Sequence, residues 1–554
     1  MSALVDIQGL NIAFDGRSVV QGLDLQIHPG ECVALVGESG SGKSVTARSL
    51  LDLAGPGAQV TARRFVLDGE DALRFDARRW RRLRGSFAGL VMQDALVSLD
   101  PLRPVGQEVG EVLQRKRVLR GRGAIAERVA QTLARVGIAD PAERVHQYAH
   151  QLSGGLRQRA LIAAAIAAEP RLVIADEPTT ALDAHIQRQV VGVLAQRVRE
   201  DGVGLLLISH DLSVVAGIAD RVLVMRHGRV VESGPTREVL ARPQHAYTRQ
   251  LIAAVPSADS RGHRLASARF ENTGAGTARI VREPLLPRRV QAHRKEAPVL
   301  QLQGIAKHFR RTRGARQPFT ALDDLSLTIG AGEVLGLVGE SGSGKSTCAR
   351  IVLGLLEPDA GNVELLGQPW SGLRESARRP LRTKLQYIPQ DPLSSFDPRY
   401  RVRDVIAENL GRVTPAEATR RIHALLEQVG LPGALAERAP RTLSGGQRQR
   451  VAIARALAAE PALIVCDEPV SALDISVQAQ VIDLIADLQS RLGTALLFIS
   501  HDLPLVHHIA DRVLVLHQGR AVEQGAVDDV FLRPTQAYTR TLLEAVPPPL
   551  RAVA

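Results

Sequence analysis

Cysteine is almost missing from this 554-residue chain, at Cys32, Cys348 and Cys466 alone. Their spacing fits no metal site, and they are expected to be buried thiols of a cytosolic protein rather than a disulfide framework. Aromatics make up only 3% of the chain, so its cores must rest on Leu, Val, Ile and Ala. No run of 18 apolar residues occurs, which excludes a membrane-spanning helix. The opening MSALVDIQGLNIAFDG has no charged region followed by an apolar one and is not expected to act as a signal peptide. Lysine is scarce too: six of the 70 basic residues are Lys, so the net charge of +12 is nearly all arginine. A basic balance can mean nucleic acid or an anionic membrane surface. So strong an Arg skew reads more simply as composition bias. Two of the six lysines, Lys43 and Lys345, stand in glycine-rich stretches, where a compact ammonium is needed.

What is present is enough apolar residue, 45%, to fill real cores, and a duplication. LVGESGSGKSVTA (Leu35–Ala47) returns as LVGESGSGKSTCA (Leu337–Ala349). Lys43 matches Lys345 at an offset of 302, and Gln93 in VMQDALVSLDP matches Gln390 in YIPQDPLSSFDP at 297. Ser153, Asp176, Glu177, His210 and Tyr247 match Ser444, Asp467, Glu468, His501 and Tyr538, all at 291. The frame therefore slips only before Ser153. The early part of each half tolerates length change, as loops and a peripheral subdomain do, and the later part behaves as one unit. The expected division is 1–256, a mostly flexible linker 257–297 poor in periodicity, and 298–554. Apolar strands alternate with helical stretches in each half, which predicts α/β domains with a parallel sheet.

The stretch G-x-x-x-x-G-K-S occurs twice, as Gly37, Glu38, Ser39, Gly40, Ser41, Gly42, Lys43, Ser44 and as Gly339, Glu340, Ser341, Gly342, Ser343, Gly344, Lys345, Ser346. Each follows an apolar strand and precedes a helix, the context that makes a phosphate-binding loop credible. Glycines let backbone N–H groups close around phosphate oxygens, and the helix N-terminus adds its dipole. Lys43 and Lys345 are expected on the β- and γ-phosphates, and Ser44 and Ser346 on Mg²⁺. LVIADEP and LIVCDEP each end a buried strand in two acids. Asp176 and Asp467 are expected to hold the metal, and Glu177 and Glu468 to polarise the attacking water. Alone, such a pair could simply cap the next helix. His210 and His501 end the next strand, where they would hold the γ-phosphate and the water. LSGGLRQR and LSGGQRQR open helices with Ser153 or Ser444 as cap, followed by Gly154 and Gly155 or Gly445 and Gly446. That is a second anion site, and it needs a use.

In this order the set resembles the ATP-binding cassette (ABC) ATPases, over nearly the whole chain and twice. The resemblance implies two P-loop NTPase domains in tandem. Each would have a RecA-like core, an antiparallel β subdomain and an α-helical subdomain. In that family two cassettes face each other head to tail, and the signature of one closes over ATP held by the other. One site would then take Gly37–Ser44, Gln93, Asp176, Glu177 and His210 and be closed by Ser444, Gly445 and Gly446. The other would take Gly339–Ser346, Gln390, Asp467, Glu468 and His501 and be closed by Ser153, Gly154 and Gly155. Gln93 and Gln390 join the metal set in this reading. Asp183 and Asp474 would couple the sites. Phe14 and Phe309 would stack on adenine, with Phe319 competing in the second half. Leu156 departs from the family's Gln.

The tails RPQHAYTRQLIAAVP and RPTQAYTRTLLEAVP are similar to those of peptide and nickel importer ATPases, with Ala246 and Ala537 where Pro is usual. The whole resembles the two ATPase subunits of a dipeptide or oligopeptide importer fused in one chain, as in importers of microcin C or glutathione. This implies ATP and Mg²⁺, two permease subunits, indirectly a periplasmic binding protein, and a place on the cytoplasmic face of a bacterial inner membrane. No cysteine cluster stands near the first tail, so no iron–sulfur cluster is expected, and no nucleic-acid partner. A soluble tandem cassette acting on ribosomes is a second reading, against which the linker is short and broken by Gly and Pro. DNA repair is a third, but zinc-spaced cysteines are absent.

Overall fold

The computed structural model describes residues 2–93, 95–116, 118–119, 121–179, 182–272, 278–286, 297–309 and 319–546. They form two compact units, one built from the chain up to Ala253 with Arg269–Ile280, the other from Ala254–Ala268 with Val281–Val546.

In the first unit the segments CVALVG (Cys32–Gly37), LVIAD (Leu172–Asp176) and GLLLI (Gly204–Ile208) are buried at every position. Unbroken apolar runs of this length suit a parallel sheet covered on both faces. The sheet has six strands, ordered Ala88–Val91, Leu172–Asp176, Gly204–Ile208, Cys32–Gly37, Arg221–Arg226 and Arg229–Pro235. All neighbours are parallel except the last pair. Register decides where the chemistry falls. Leu35 and Asp176 both pair with Ile208, so the phosphate loop and the acidic pair leave the sheet at the same edge. Beside this core lies an antiparallel sheet of Arg17–Ile27, Val5–Phe14, Arg64–Leu67 and Glu70–Asp71, with Ala58–Thr61 also on Val5–Phe14. Its inner face joins the main apolar cluster through Val5, Ile7, Leu23 and Leu25. Each such side chain contributes about 1.5–3 kcal/mol when fully buried. A helical subdomain holds Val105–Arg115, Arg122–Arg135 and the signature helix Gly154–Ile166.

The second unit repeats the plan. Its six strands run Leu385–Ile388, Leu463–Asp467, Ala495–Ile499, Val334–Val338, Arg512–His517 and Arg520–Ala526, and Leu337 and Asp467 both pair with Ile499. The signature helix is Gly445–Leu457. The three cysteines are free and buried, and burial pushes the thiols of Cys348 and Cys466 up to about 12.

The stretch expected as a linker, 257–297, is divided between the units in its described residues. Residues 257–268 and 281–286 belong to the second unit, and 269–272 and 278–280 to the first. Ala258–Ser260 is a turn of 3₁₀ helix. Leu265 is 1% exposed, and the amides of Leu265 and Ala266 donate to both oxygens of buried Asp483, at 2.9 and 2.8 Å. These contacts lie over 200 residues away in sequence, which is why local pattern gives no sign of them. Residues 273–277, 287–296 and the Arg-rich stretch 310–318 lie outside the described residues.

Candidate functional site: two phosphate-loop centres

Each glycine-rich loop wraps a lysine. In the first, Lys43 Nζ donates to the carbonyls of Gly37 and Glu38 at 2.7 and 2.8 Å. In the second, Lys345 Nζ donates to Gly339 and Glu340 at 2.7 and 2.9 Å. The ammonium is thus held in the loop's own cradle. Gly37 sits at φ 145°, and a Cβ there would strike the Met225 carbonyl; Gly339, at φ 151°, meets Leu516 in the same way. No other residue type fits these two positions. Gly42 and Gly344 cap the following helices in the left-handed region, turning the first helical N–H groups into the cradle.

The acidic pairs stand across from the loops. Ser44 Oγ donates to Asp176 Oδ1 at 2.8 Å, and Arg48 reaches Asp176 Oδ2 at 3.3 Å. A hydroxyl and a carboxylate at this spacing are the hard oxygen donors that Mg²⁺ takes, so the residues fit that ion. Burial raises the Asp176 pKa, against the pull of Ser44 and Arg48. Asp467 is raised by burial and by neighbouring Glu468, and its partner is the hydroxyl of Tyr387, which donates to Oδ2 at 3.3 Å. The phenol in turn is pushed up to about 12 by burial and by that carboxylate.

Glu177 and Glu468 carry the clearest backbone signature. Both adopt positive φ, at 51° and 48°, a conformation costing a non-glycine residue on the order of 1–3 kcal/mol. The neighbouring strand holds it: Glu177 N donates to Ile208 O at 3.0 Å and Glu468 N to Ile499 O at 2.9 Å. Gln93 Nε2 donates to Glu177 Oε2 and Gln390 Nε2 to Glu468 Oε2, both at 2.9 Å. His210 Nδ1 lies 3.4 Å from Glu177 and His501 Nδ1 3.0 Å from Glu468. Burial disfavours both imidazolium ions, yet the glutamates outweigh it and raise both histidine pKa values. Glu468 answers in the opposite sense. Burial pushes it up, and the bond from His501 brings it below the usual range.

The signature segments leave Ser153, Gly154, Ser444 and Gly445 exposed. Ser153 Oγ accepts from Leu156 N at 3.4 Å and Ser444 Oγ from Gln447 N at 3.3 Å. Gln447 also accepts from Ser444 N at 3.0 Å, closing a reciprocal cap that Leu156 cannot make. The second glycine of each signature has a packing reason that the motif hides. A Cβ on Gly155 would meet Ile186 at 2.6 Å, and one on Gly446 would strike Val477. Those residues open the helices that Asp183 and Asp474 cap, through Ile186 N at 2.9 Å and Val477 N at 3.0 Å.

The structure sorts the aromatics. Phe14 is half-buried against the main apolar cluster, with Arg17 as its cross-strand partner. Phe309 and Phe319 are partners of each other across a strand pair and both are exposed, with Lys307 Nζ 5.9 Å from the Phe309 ring. Two contacts had no role in the sequence reading. The hydroxyl of Tyr247 accepts Glu38 N at 2.9 Å, and that of Tyr538 accepts Glu340 N at 3.3 Å. The tail tyrosines therefore brace the phosphate loops. Their equal offset was the available signal.

The fold and these two centres define a tandem phosphate-loop ATPase. The ABC transporter family matches residues 20–180 and 322–471, and the C-terminal region of oligopeptide/dipeptide transporters matches 231–278 and 522–552. The chain is 40% identical to the peptidoglycan transport ATP-binding protein YejF of Agrobacterium fabrum, over 98% of its own length and 96% of that protein's. It is 41% identical to the glutathione import ATP-binding protein GsiA of Pectobacterium atrosepticum, over 98% and 89%. It is 38% identical to the oligopeptide transport ATP-binding protein OppD of Mycobacterium bovis, over 99% of both chains. The chain belongs to the ABC transporter family of ATP-binding proteins, with both cassettes on one polypeptide.

Proposed function

We propose that this chain is the ATP-hydrolysing motor of an importer for peptides or peptide-derived solutes, with Glu177 and Glu468 as the bases of two hydrolytic sites. The observation that carries this reading is the match, over 98% or more of the chain, to transport ATPases for such solutes, joined to two copies of the peptide-transporter tail. The hydrogen-bonded Gln–Glu–His set in each cassette supports the two-site assignment. Lys43 and Lys345 exchange loop carbonyls for phosphate oxygens when ATP enters. Ser44, Gln93 and Asp176, or Ser346, Gln390 and Asp467, would hold Mg²⁺, which would neutralise charge on the phosphates. Glu177 and Glu468 accept the proton of the attacking water, and His210 and His501 hold the γ-phosphate edge. The exposed signatures, Ser444–Gly446 and Ser153–Gly155, close over the opposite cassette's ATP and bring a second helix N-terminus to the phosphates. Phe14 and Phe309 stack on adenine. Asp183 and Asp474 link the two sites. The catalytic cassettes fall within 1–256 and 298–554.

Among the described residues no helix is long and apolar enough to cross a membrane. Two permease subunits at the cytoplasmic face of the inner membrane would provide the path, and a periplasmic binding protein the solute. Purification of the tagged chain from detergent-solubilised native membranes, with mass spectrometry of what comes with it, tests the reading. Two polytopic permeases are expected. Ribosomal proteins without a permease would overturn it.

A further inference from the structure

We propose that the segment Ala254–Ala268, with its return stretch 281–286, is a strap that positions the second ATP site. The proposal rests on the assignment of Glu468 and His501 to the second site.

The strap is seated on two helices. On Ile475–Leu492 it meets Asp483, which takes both backbone amides described above, and Asp487, which takes Arg264 in a two-bond fork at 2.7 and 2.8 Å. Ser490 Oγ donates to Leu286 O at 3.4 Å on the same helix. On Leu503–Ile509 it meets His508, whose Nδ1 lies 2.9 Å from Ser260 Oγ with both groups buried. Arg261 reaches Asp528 at 2.8 Å and the carbonyl of Ala510 at 3.2 Å. Arg264 N donates to Glu283 O at 2.7 Å, tying the outward and return stretches together. A passive tether needs no receptor. This one fills a buried carboxylate with backbone donors and a second with a forked guanidinium, the pairings that fix geometry most strongly.

Both helices begin at the second site. Ile475–Leu492 is capped by Asp474, and Leu503–Ile509 by Asp502, the residue after His501. The strap therefore spans the helix that Asp474 caps and the helix that begins two residues after His501. The duplication supplies an internal control. At the constant offset of 291, Asp483, Asp487, His508 and Asp528 correspond to Gly192, Gln196, Gly217 and Arg237. The first cassette carries none of these four receptor side chains. It joins its own two helices directly instead, through Gln187 Nε2 to Asp211 at 2.6 Å, whereas the matching bond in the second, Gln478 to Asp502, is stretched to 3.4 Å. The strap stands in for the weaker link.

The test is site-resolved. The full chain is loaded with photoreactive 8-azido-ATP and vanadate and irradiated, and the labelled peptides of each cassette are quantified by mass spectrometry. Arg264→Asp and Asp487→Arg are each expected to lower labelling of second-cassette peptides at least about fivefold against first-cassette peptides in the same sample, within the usual range of coupling effects. The double exchange is expected to restore it. Hydrogen exchange at Leu265 and Ala266 checks strap release, with fast exchange in the single variants and protection in the parent and the double exchange. Equal loss at both cassettes, no loss, or no rescue would overturn the strap. A parent chain that traps nucleotide at neither cassette would overturn the hydrolytic assignment itself, and the strap with it.

Discussion

The two ATP centres share their motif residues but not their scaffolding. In the first, Asp176 is held by Ser44 and Arg48. In the second, Asp467 is held by Tyr387, at the position where the first has Leu90. The second signature helix has a reciprocal cap through Gln447, and the first has Leu156. The second cassette's helices carry a strap and are joined by a 3.4 Å bond, where the first pair are joined at 2.6 Å. The groups proposed to meet the phosphates repeat. The groups that hold them in place have diverged, because any contact that fixes a carboxylate or a helix serves equally well.

The comparison breaks most sharply at the bases. Glu177→Gln and Glu468→Gln, measured separately, are each expected to lower steady-state ATPase by about 10²-fold or more, as loss of a general base does. If either variant kept full turnover, only one centre would be hydrolytic. Next come the tail tyrosines. Tyr247→Phe and Tyr538→Phe each leave a loop amide without its acceptor, a cost of about 1–3 kcal/mol if it stays dry. KM for ATP is expected to rise several-fold with kcat little changed. The shorter bond, at Tyr247, should give the larger rise. An equal fall in kcat at constant KM would place the tyrosines elsewhere in the cycle.

The histidines sharpen the comparison through pH. Both are raised above 6.5, because burial's opposition is outweighed by the adjoining glutamate. A raised folded value means the charged imidazole's contribution is complete below 6.5 and is lost as pH climbs through the folded value. The Tm advantage of the parent over His501→Gln should therefore be largest below pH 6.5 and shrink above it. The same series for His210→Gln should be flatter, since its contact is 3.4 rather than 3.0 Å. An advantage that grew with pH would reverse the sign. The smallest effect is at the signature. Leu156→Gln rebuilds the reciprocal cap and is expected to add about 0.5 kcal/mol to the first cassette, roughly a degree or two in Tm. No gain would mean that Gln447's bond is neutral.

The glycine-rich loops and the acidic pairs were legible because glycine, lysine and paired carboxylates at fixed spacing have few other uses, and His210 and His501 because they repeat in the same frame. The alternation of strand and helix was legible from continuous apolar runs. The tyrosine braces were visible only as an unexplained equal offset, and the packing need behind Gly155 and Gly446 not at all, since both depend on what lies across the fold. The stretch 257–297 read as linker because its own residues show no periodicity. In its described residues, Ser260 and Arg264–Ala266 are held by Asp483, Asp487 and His508, far along the chain.

By itself the sequence determined that there are two cassettes and which strands form their cores, and it supplied the side chains proposed to meet phosphate, metal and water. Local pattern suffices there, because backbone geometry ties residue spacing directly to loop, strand end and helix start. Only the tertiary structure decided the left-handed backbone at Glu177 and Glu468, the tyrosine under each phosphate loop, and the unit to which Ala254–Ala268 belongs. Those features are contacts between distant residues, set by sheet register and burial, and no window of the chain contains both partners.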